Sequence, residues 1–255
     1  MSKFNPVVLI TQPREITEVI DSMKKYIKYP KVWFKGYTEP EVTEEINRYV
    51  RNTNYSHYII CADDVIVNEL VLEEMDKYVN IFSLDHETSR DIVTGWCNLD
   101  IDHIDGSLKR DSNIAEKEIT LKNGVWPLKS DYEFSSIQSI LSRKGLIRTY
   151  LSSFALSCVP RETLIGYPLA TYKTPGFLFE RTPRAQPRGC CADHEFSRRI
   201  TEDGIKIWTT PKMFIKHLRE ERDAFLKRNW IVGKVEPTMT EETSFPVFKK
   251  YNIIK

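Results

Sequence analysis

The first third of the chain alternates short runs of consecutive apolar residues with longer runs whose apolar residues recur at helical spacing, and few architectures satisfy that alternation. Val7 to Thr11 reads as a buried strand, and Arg14 to Tyr29, with Ile16, Val19, Ile20, Met23 and Ile27, reads as a helix. Lys31 to Lys35 is the next strand, closed by Gly36, and Glu39 to Arg51 is a helix whose acidic first turn suits the helix dipole. Tyr55 to Ala62 is a third strand, with Asn68 to Tyr78 as the helix after it. Strand, helix, strand, helix, strand predicts an α/β fold built on a parallel, Rossmann-like sheet.

Further along, the pattern loosens. Ile81 to Leu84, Val93 to Leu99, Ser153 to Val159 and Ile205 to Thr210 read as strands, and Arg161 to Ile165 as a single helical turn. Asp100 to Asp131 is polar and turn-rich, and Tyr167 to Cys191, with four prolines and two glycines, reads as a long loop. His194 to Glu202 is a helix that Asp203-Gly204 stops. After His217 the pattern is that of a charged helix followed by an aromatic, proline-punctuated tail.

Composition narrows the partners. With 37 basic and 36 acidic residues the net charge is +1, which gives no footprint for nucleic acid. At 255 residues one α/β domain with a tail is the expected organisation. No apolar run approaches the roughly 20 residues of a membrane span, so any membrane contact is expected to be peripheral. Val7 to Ile10 is too short for a signal-peptide core, and five cysteines without framework spacing fit a reducing compartment; a cytoplasmic location is expected.

Two features carry chemistry. Asp63 and Asp64 follow an apolar strand, at the end where ligands bind in open α/β sheets, and adjacent carboxylates there suit Mg²⁺ or Mn²⁺ bridging a diphosphate. The same doublet also serves to cap the turn into the helix at Asn68, and both readings stand. The second feature is Ala192-Asp193-His194-Glu195 with Arg199, then Asp203-Gly204, Pro211 and His217. The preceding loop adds Lys173, Arg181, Arg184 and Arg188, a basic set that either closes over a diphosphate or simply faces solvent.

This second block resembles the C-terminal half of the family 2 glycosyltransferases, and Ser153 to Gly166 is similar to the strand and turn that precede it there. Asp63 and Asp64 stand where that family's DxD motif ends the donor strand, so the resemblance spans about residues 7 to 217. It implies a GT-A fold, a Rossmann-like mostly parallel sheet flanked by helices, with a smaller acceptor-side region. It also implies a nucleotide-sugar-binding half over about 1–92, an acceptor and catalytic half over about 93–220, and a helix and tail over 221–255 packed on the domain. The activity implied is metal-dependent transfer of a sugar from a nucleotide-diphosphate donor to a carbohydrate, lipid-linked or protein acceptor. By position, Asp193 matches the general base of inverting members. Asp63, Asp64 and His217 would meet the divalent cation, and Thr11, Asp63, Arg188 and Arg199 the nucleotide sugar. The sequence departs from the family pattern at Cys61, where many members have the first DxD carboxylate, and at Ala192, where a glutamate usually precedes the base.

Other signals favour structure over chemistry. Asp100, Asp102 and Asp105-Gly106 mimic a calcium loop, but the glycine is one place late and Asp111 replaces the closing glutamate. Glu202-Asp203 ends a helix, and Cys190-Cys191, His57, His86, His103 and His194 are read as structural. The tail aromatics Trp230, Phe245, Phe248 and Tyr251 are expected to pack on their own domain. A sugar nucleotidyltransferase would have a glycine-rich loop after the first strand, whereas this chain has Thr11-Gln12-Pro13-Arg14-Glu15. A non-catalytic nucleotide- or carbohydrate-binding module would keep the fold without Asp193 or the metal pair, and both are present.

Overall fold

Successive side chains of a strand face opposite ways, and β1 (Pro6–Gln12) is apolar in both directions: Val7 and Leu9 pack on one side, Val8 and Ile10 on the other. Such a strand has to be covered twice, the condition of a parallel sheet between helices. The computed structural model describes residues 4–12, 15–37, 39–102, 108–118, 133–170, 192–220 and 235–237, and it meets that condition. After β1 come α1 (Thr17–Tyr26), β2 (Lys31–Lys35), α2 (Glu39–Asn52), β3 (His57–Ala62), the two-residue β4 (Val65–Ile66) and α3 (Glu69–Leu84). Asn68 caps α3 by accepting the Val71 amide at 3.0 Å.

The second half supplies β5 (Ile92–Thr94), β6 (Asn98–Asp102), β7 (Leu108–Ala115), β8 (Phe134–Ser136), α4 (Ile137–Ser142), β9 (Ile147–Thr149), β10 (Leu156–Pro160), α5 (Arg161–Gly166), α6 (Ala192–Glu202), β11 (Ile207–Thr209), β12 (Lys216–Glu220) and β13 (Val235–Pro237). The main sheet has seven strands in the order β2-β1-β3-β10-β5-β11-β9. β2, β1, β3, β5 and β11 share one direction, while β10 and β9 run against it. The fold is therefore α/β with a mostly parallel, Rossmann-like central sheet, as the alternation predicts. On the Val8 face lie α1 and α3, with Val19, Met23, Val71, Met75 and Val79. On the Val7 face lie α2, α5 and α6, with Val42, Ile46, Val50, Leu164, Phe196 and Ile200.

Two local expectations are corrected. Ile81 to Leu84 is not a strand but the last turn of α3: Val71, Met75, Val79 and Phe82 continue one buried helical stripe, leaving Ile81 and Leu84 exposed on its outside. The polar stretch from Asp100 begins as the β6–β7 hairpin, in which Asn98 pairs with Ser112 and Asp102 with Leu108. Past His217 the chain continues as β12 to Glu220, which pairs with β4 and with β13, while the helix and tail expected over 221–255 lie outside the described residues apart from Val235–Pro237. The Schellman turn that ends α6 matches expectation: Gly204, at φ 81°, donates to the Thr201 carbonyl, and Ile205 donates to that of Ile200.

Candidate functional site at the C-terminal edge of the sheet

Where β1, β3 and β5 end together, the chain places Thr11, Asp63-Asp64 and Thr94-Gly95. The Thr11 hydroxyl donates to the Cys61 carbonyl at 3.4 Å and ties the ends of β1 and β3 together. Asp63 and Asp64 form the tight turn between β3 and β4; Asp63 is buried, and the Asp64 side chain keeps 19% of its surface. Cys61, the departure from the DxD pattern, belongs to the hydrophobic core. It is fully buried beside Ile59 and Val65, and burial, with the carboxylates of Asp64 and Asp63, pushes its thiol far up.

The long return from β11 brings His217 to this edge. The segment turns at Thr210–Met213, crosses the end of β5, and is pinned by Trp96, whose amide donates to the Met213 carbonyl and whose carbonyl accepts the Ile215 amide. The Trp96 indole also donates to the Thr210 carbonyl at 3.0 Å and meets the Phe214 ring at 4.9 Å. Gly95 lets the crossing strand lie this close, because a Cβ there would stand 3.3 Å from the Met213 carbonyl oxygen. β12 then pairs with β4, placing His217 opposite Val65; the Leu218 amide donates to the Asp64 carbonyl at 2.6 Å, and His217 Nε2 lies 3.4 Å from Asp64 Oδ2. Residues 153 apart in sequence, Asp64 and His217, thus meet at one point of the edge.

Donor chemistry decides what this point can hold. Two neighbouring ligands of an octahedral cation, each about 2.1 Å from it, stand roughly 3.0 Å apart. The Asp64 and His217 pair is close to that separation. Among the described residues no group of three or more His, Cys, Asp or Glu side chains gathers to hold a metal ion. A cation held by this pair would have to take its remaining ligands from substrate phosphate and water.

Asp193 stands in the first turn of α6, where negative charge complements the helix dipole. Its Oδ1 accepts the His194 amide at 2.8 Å, and it forms no ion pair among the described residues. The neighbouring acid Glu195 is committed elsewhere: it is bound by Arg198 at 3.0 Å, which also holds Glu202 at 2.7 Å. Arg199 donates to the Pro168 carbonyl at 2.9 Å and lies over the Tyr167 ring, so its guanidinium fastens α6 to the segment after α5. Arg188, with Lys173, Arg181 and Arg184, lies outside the described residues, as do Cys190, Cys191, His103, Asp105 and the tail aromatics.

Sequence reading missed a set of buried hydroxyls beneath the edge. The Thr94 and Ser157 hydroxyls are 2.7 Å apart, Ser152 Oγ donates to Ser157 Oγ at 3.1 Å, and the Ser152 amide donates to Ser197 Oγ at 2.8 Å. Ser197 Oγ in turn donates to the Asp193 carbonyl at 2.6 Å. From the same segment the Ala155 carbonyl accepts the Ala62 amide, so residues 152–155 join the first turn of α6 to the strand that ends in Asp63-Asp64. The available signal was the density of serine just before and within β10, in Ser152-Ser153 and Ser157.

The sequence matches no protein-family profile and no curated protein. Among solved structures, A197 from STIV is 12% identical, with 92% of this chain and 95% of that one covered at a TM-score of 0.48. A CMP:2-keto-3-deoxy-manno-octonic acid synthetase complexed with CTP is 8% identical, with 80% and 88% covered at a TM-score of 0.37.

Proposed function

We propose that this protein transfers a glycosyl group from a nucleotide-diphosphate sugar to an acceptor hydroxyl, with inversion at the transferred carbon. The observation that carries the reading is the meeting of Asp64 and His217 at the C-terminal edge of a mostly parallel sheet, with the first turn of α6 joined to that edge through residues 152–155. In open α/β sheets this edge is where ligands bind. The resemblance to family 2 glycosyltransferases supplies the substrate class; the geometry supports a place for a phosphate-bound metal and, in the first turn of α6, a carboxylate with no ion pair among the described residues.

Each residue then has a task. Asp193 accepts the proton of the acceptor hydroxyl as that oxygen forms its bond to the anomeric carbon, while the bond from that carbon to the diphosphate oxygen breaks and the nucleoside diphosphate leaves with the electron pair. A divalent cation held by Asp64 and His217, with Asp63 beside them, would neutralise the charge that develops on the leaving diphosphate. Thr11 would lie toward the ribose and base; Arg188 is assigned to the diphosphate by the resemblance alone, while the Arg199 guanidinium is taken up by Pro168 and Tyr167.

The reading is tested by incubating wild type and Asp193→Asn with UDP-glucose, UDP-N-acetylglucosamine, GDP-mannose and dTDP-rhamnose, with Mn²⁺ and mixed sugar acceptors, and measuring nucleoside diphosphate release. Release that falls roughly 10²-fold or more in the variant, with donor binding kept, is expected from loss of a general base. Equal release by both proteins would remove Asp193 from the mechanism, and donor binding without release would make the protein a nucleotide-sugar-binding module.

A further inference from the structure

Of the buried groups that the proposed reaction does not use, the hydroxyl of Ser197 has the most consequential connections. Ser197 is fully buried one helical turn after Asp193. Its Oγ makes two bonds with different addresses: it donates to the Asp193 carbonyl at 2.6 Å and accepts the Ser152 amide at 2.8 Å. Donation to the carbonyl four residues back is an ordinary habit of helical serine. Accepting an amide from another segment with the same oxygen is not, and it makes one atom the joint between α6 and the lead-in to β10.

That lead-in is itself immobilised. Ser152 is fully buried; its hydroxyl donates to Ser157, and Ser157 is paired with Thr94 at the end of β5. The first turn of a helix lacks the internal hydrogen bonds that steady its middle, so its position depends on outside contacts. Removing Ser197 Oγ would leave the buried Ser152 amide without that acceptor, and a buried amide without a partner drives its segment to shift or take in water. Either response moves the turn that carries Asp193 relative to the edge that carries Asp64.

We infer that Ser197 is a positioning residue, setting the register of the Asp193 carboxylate against the C-terminal edge of the sheet through the Ser152 amide and the Ser152–Ser157–Thr94 hydroxyls. This rests on the glycosyl-transfer reading and adds to it a residue that touches no substrate. Misplacement of a reacting group by about 1 Å costs up to roughly 10²-fold in rate, so the role has a measurable signature.

Thr201 provides the matched control. Also buried on α6, its hydroxyl donates to the Ser197 carbonyl at 2.8 Å and to that of Arg198, within the helix and with no link to residues 152–157. The experiment compares wild type, Ser197→Ala, Ser197→Cys, Thr201→Ala and Asp193→Asn for release of nucleoside diphosphate from the donor that wild type turns over, resolving kcat and donor KM, with Tm recorded for each. Ser197→Cys fills the space with a weak hydrogen-bonding group and keeps the test open if Ser197→Ala fails to fold. Both Ser197 variants are expected to lose roughly 10-fold or more in kcat with donor KM unchanged, while Thr201→Ala loses Tm but keeps its kcat. If wild type turns over a donor and Asp193→Asn does not, yet the Ser197 variants match Thr201→Ala in kcat or differ only in KM, the positioning role is overturned and the transfer reading stands. If wild type turns over none of the four donors, the reading itself fails and the role falls with it.

Discussion

Acid should destabilise this fold through one histidine, and the size of the effect follows from its surroundings. His57 opens β3 with 8% of its surface exposed, its Nδ1 3.0 Å from the Ser56 hydroxyl and its ring edge-on to Phe4 at 5.1 Å. Pro6 and Pro160 pair with it on the two neighbouring strands. Burial depresses its pKa from the ordinary 6.5 to about 4. Above pH 6.5 the ring is neutral in both the folded and unfolded chain, and the group adds no pH dependence. Between 6.5 and about 4 the unfolded chain takes up a proton that the folded one refuses, so stability falls with pH by about 1.4 kcal/mol per unit. Below about 4 both forms bind the proton and the loss is complete, at roughly 3 kcal/mol. Urea unfolding of wild type and His57→Phe at a series of pH values isolates this contribution, because Phe keeps the ring contact and cannot titrate. Wild type should lose roughly 3 kcal/mol more than the variant between about pH 7 and pH 4. Parallel loss in the two proteins would refute the assignment of a buried, neutral His57.

Three substitutions elsewhere have defined outcomes. Gly204→Ala forces a side chain into φ 81° at the end of α6 and should cost about 1 kcal/mol or more in urea unfolding, whereas a substitution with no effect would mean that the turn is not left-handed in solution. Met75→Ala empties a fully buried position of α3 and should cost about 2–5 kcal/mol by the same assay. Gly95→Ala places a Cβ 3.3 Å from the Met213 carbonyl, so the strand leading to His217 must give way by a few tenths of an ångström. Its expected result is weaker Mn²⁺-dependent nucleotide binding in calorimetry, together with an overpacking loss of about 1–3 kcal/mol in urea unfolding.

The parts of the fold that sequence revealed are those dictated by local periodicity. Val7 to Ile10, apolar on every residue, could only be a strand covered on both faces, and Val19 and Met23 fixed the inner side of the helix after it. Asp203-Gly204 announced its turn because a left-handed residue there suits glycine. Ile81 to Leu84 misled because four residues of mixed character satisfy either period, and the deciding fact was that Phe82 completes a stripe begun at Val71. The β6–β7 hairpin, which β8 extends into a three-stranded sheet, was hidden because its strands are rich in charged and polar residues. At the candidate site, Asp63 and Asp64 were legible from their place after an apolar strand, and Asp193 and His217 through resemblance. The contact between Asp64 and His217 depends on a two-residue strand, on Gly95 and on the Trp96 bridge, none of which leaves a periodic trace. Ser197 and its partners escaped notice because buried hydroxyls look like surface ones in sequence.

In the proposed function, Asp64 and His217 form the cation-dependent diphosphate site of a nucleotide-sugar enzyme. The decisive experiment is calorimetric titration of UDP, GDP, CDP, dTDP and their sugar conjugates, with and without Mn²⁺, into wild type and Asp64→Asn. Binding of one nucleotide that requires both the metal and Asp64 is expected. Binding that is unchanged by Mn²⁺ or by Asp64→Asn, or no binding by any nucleotide under either metal condition, would contradict it.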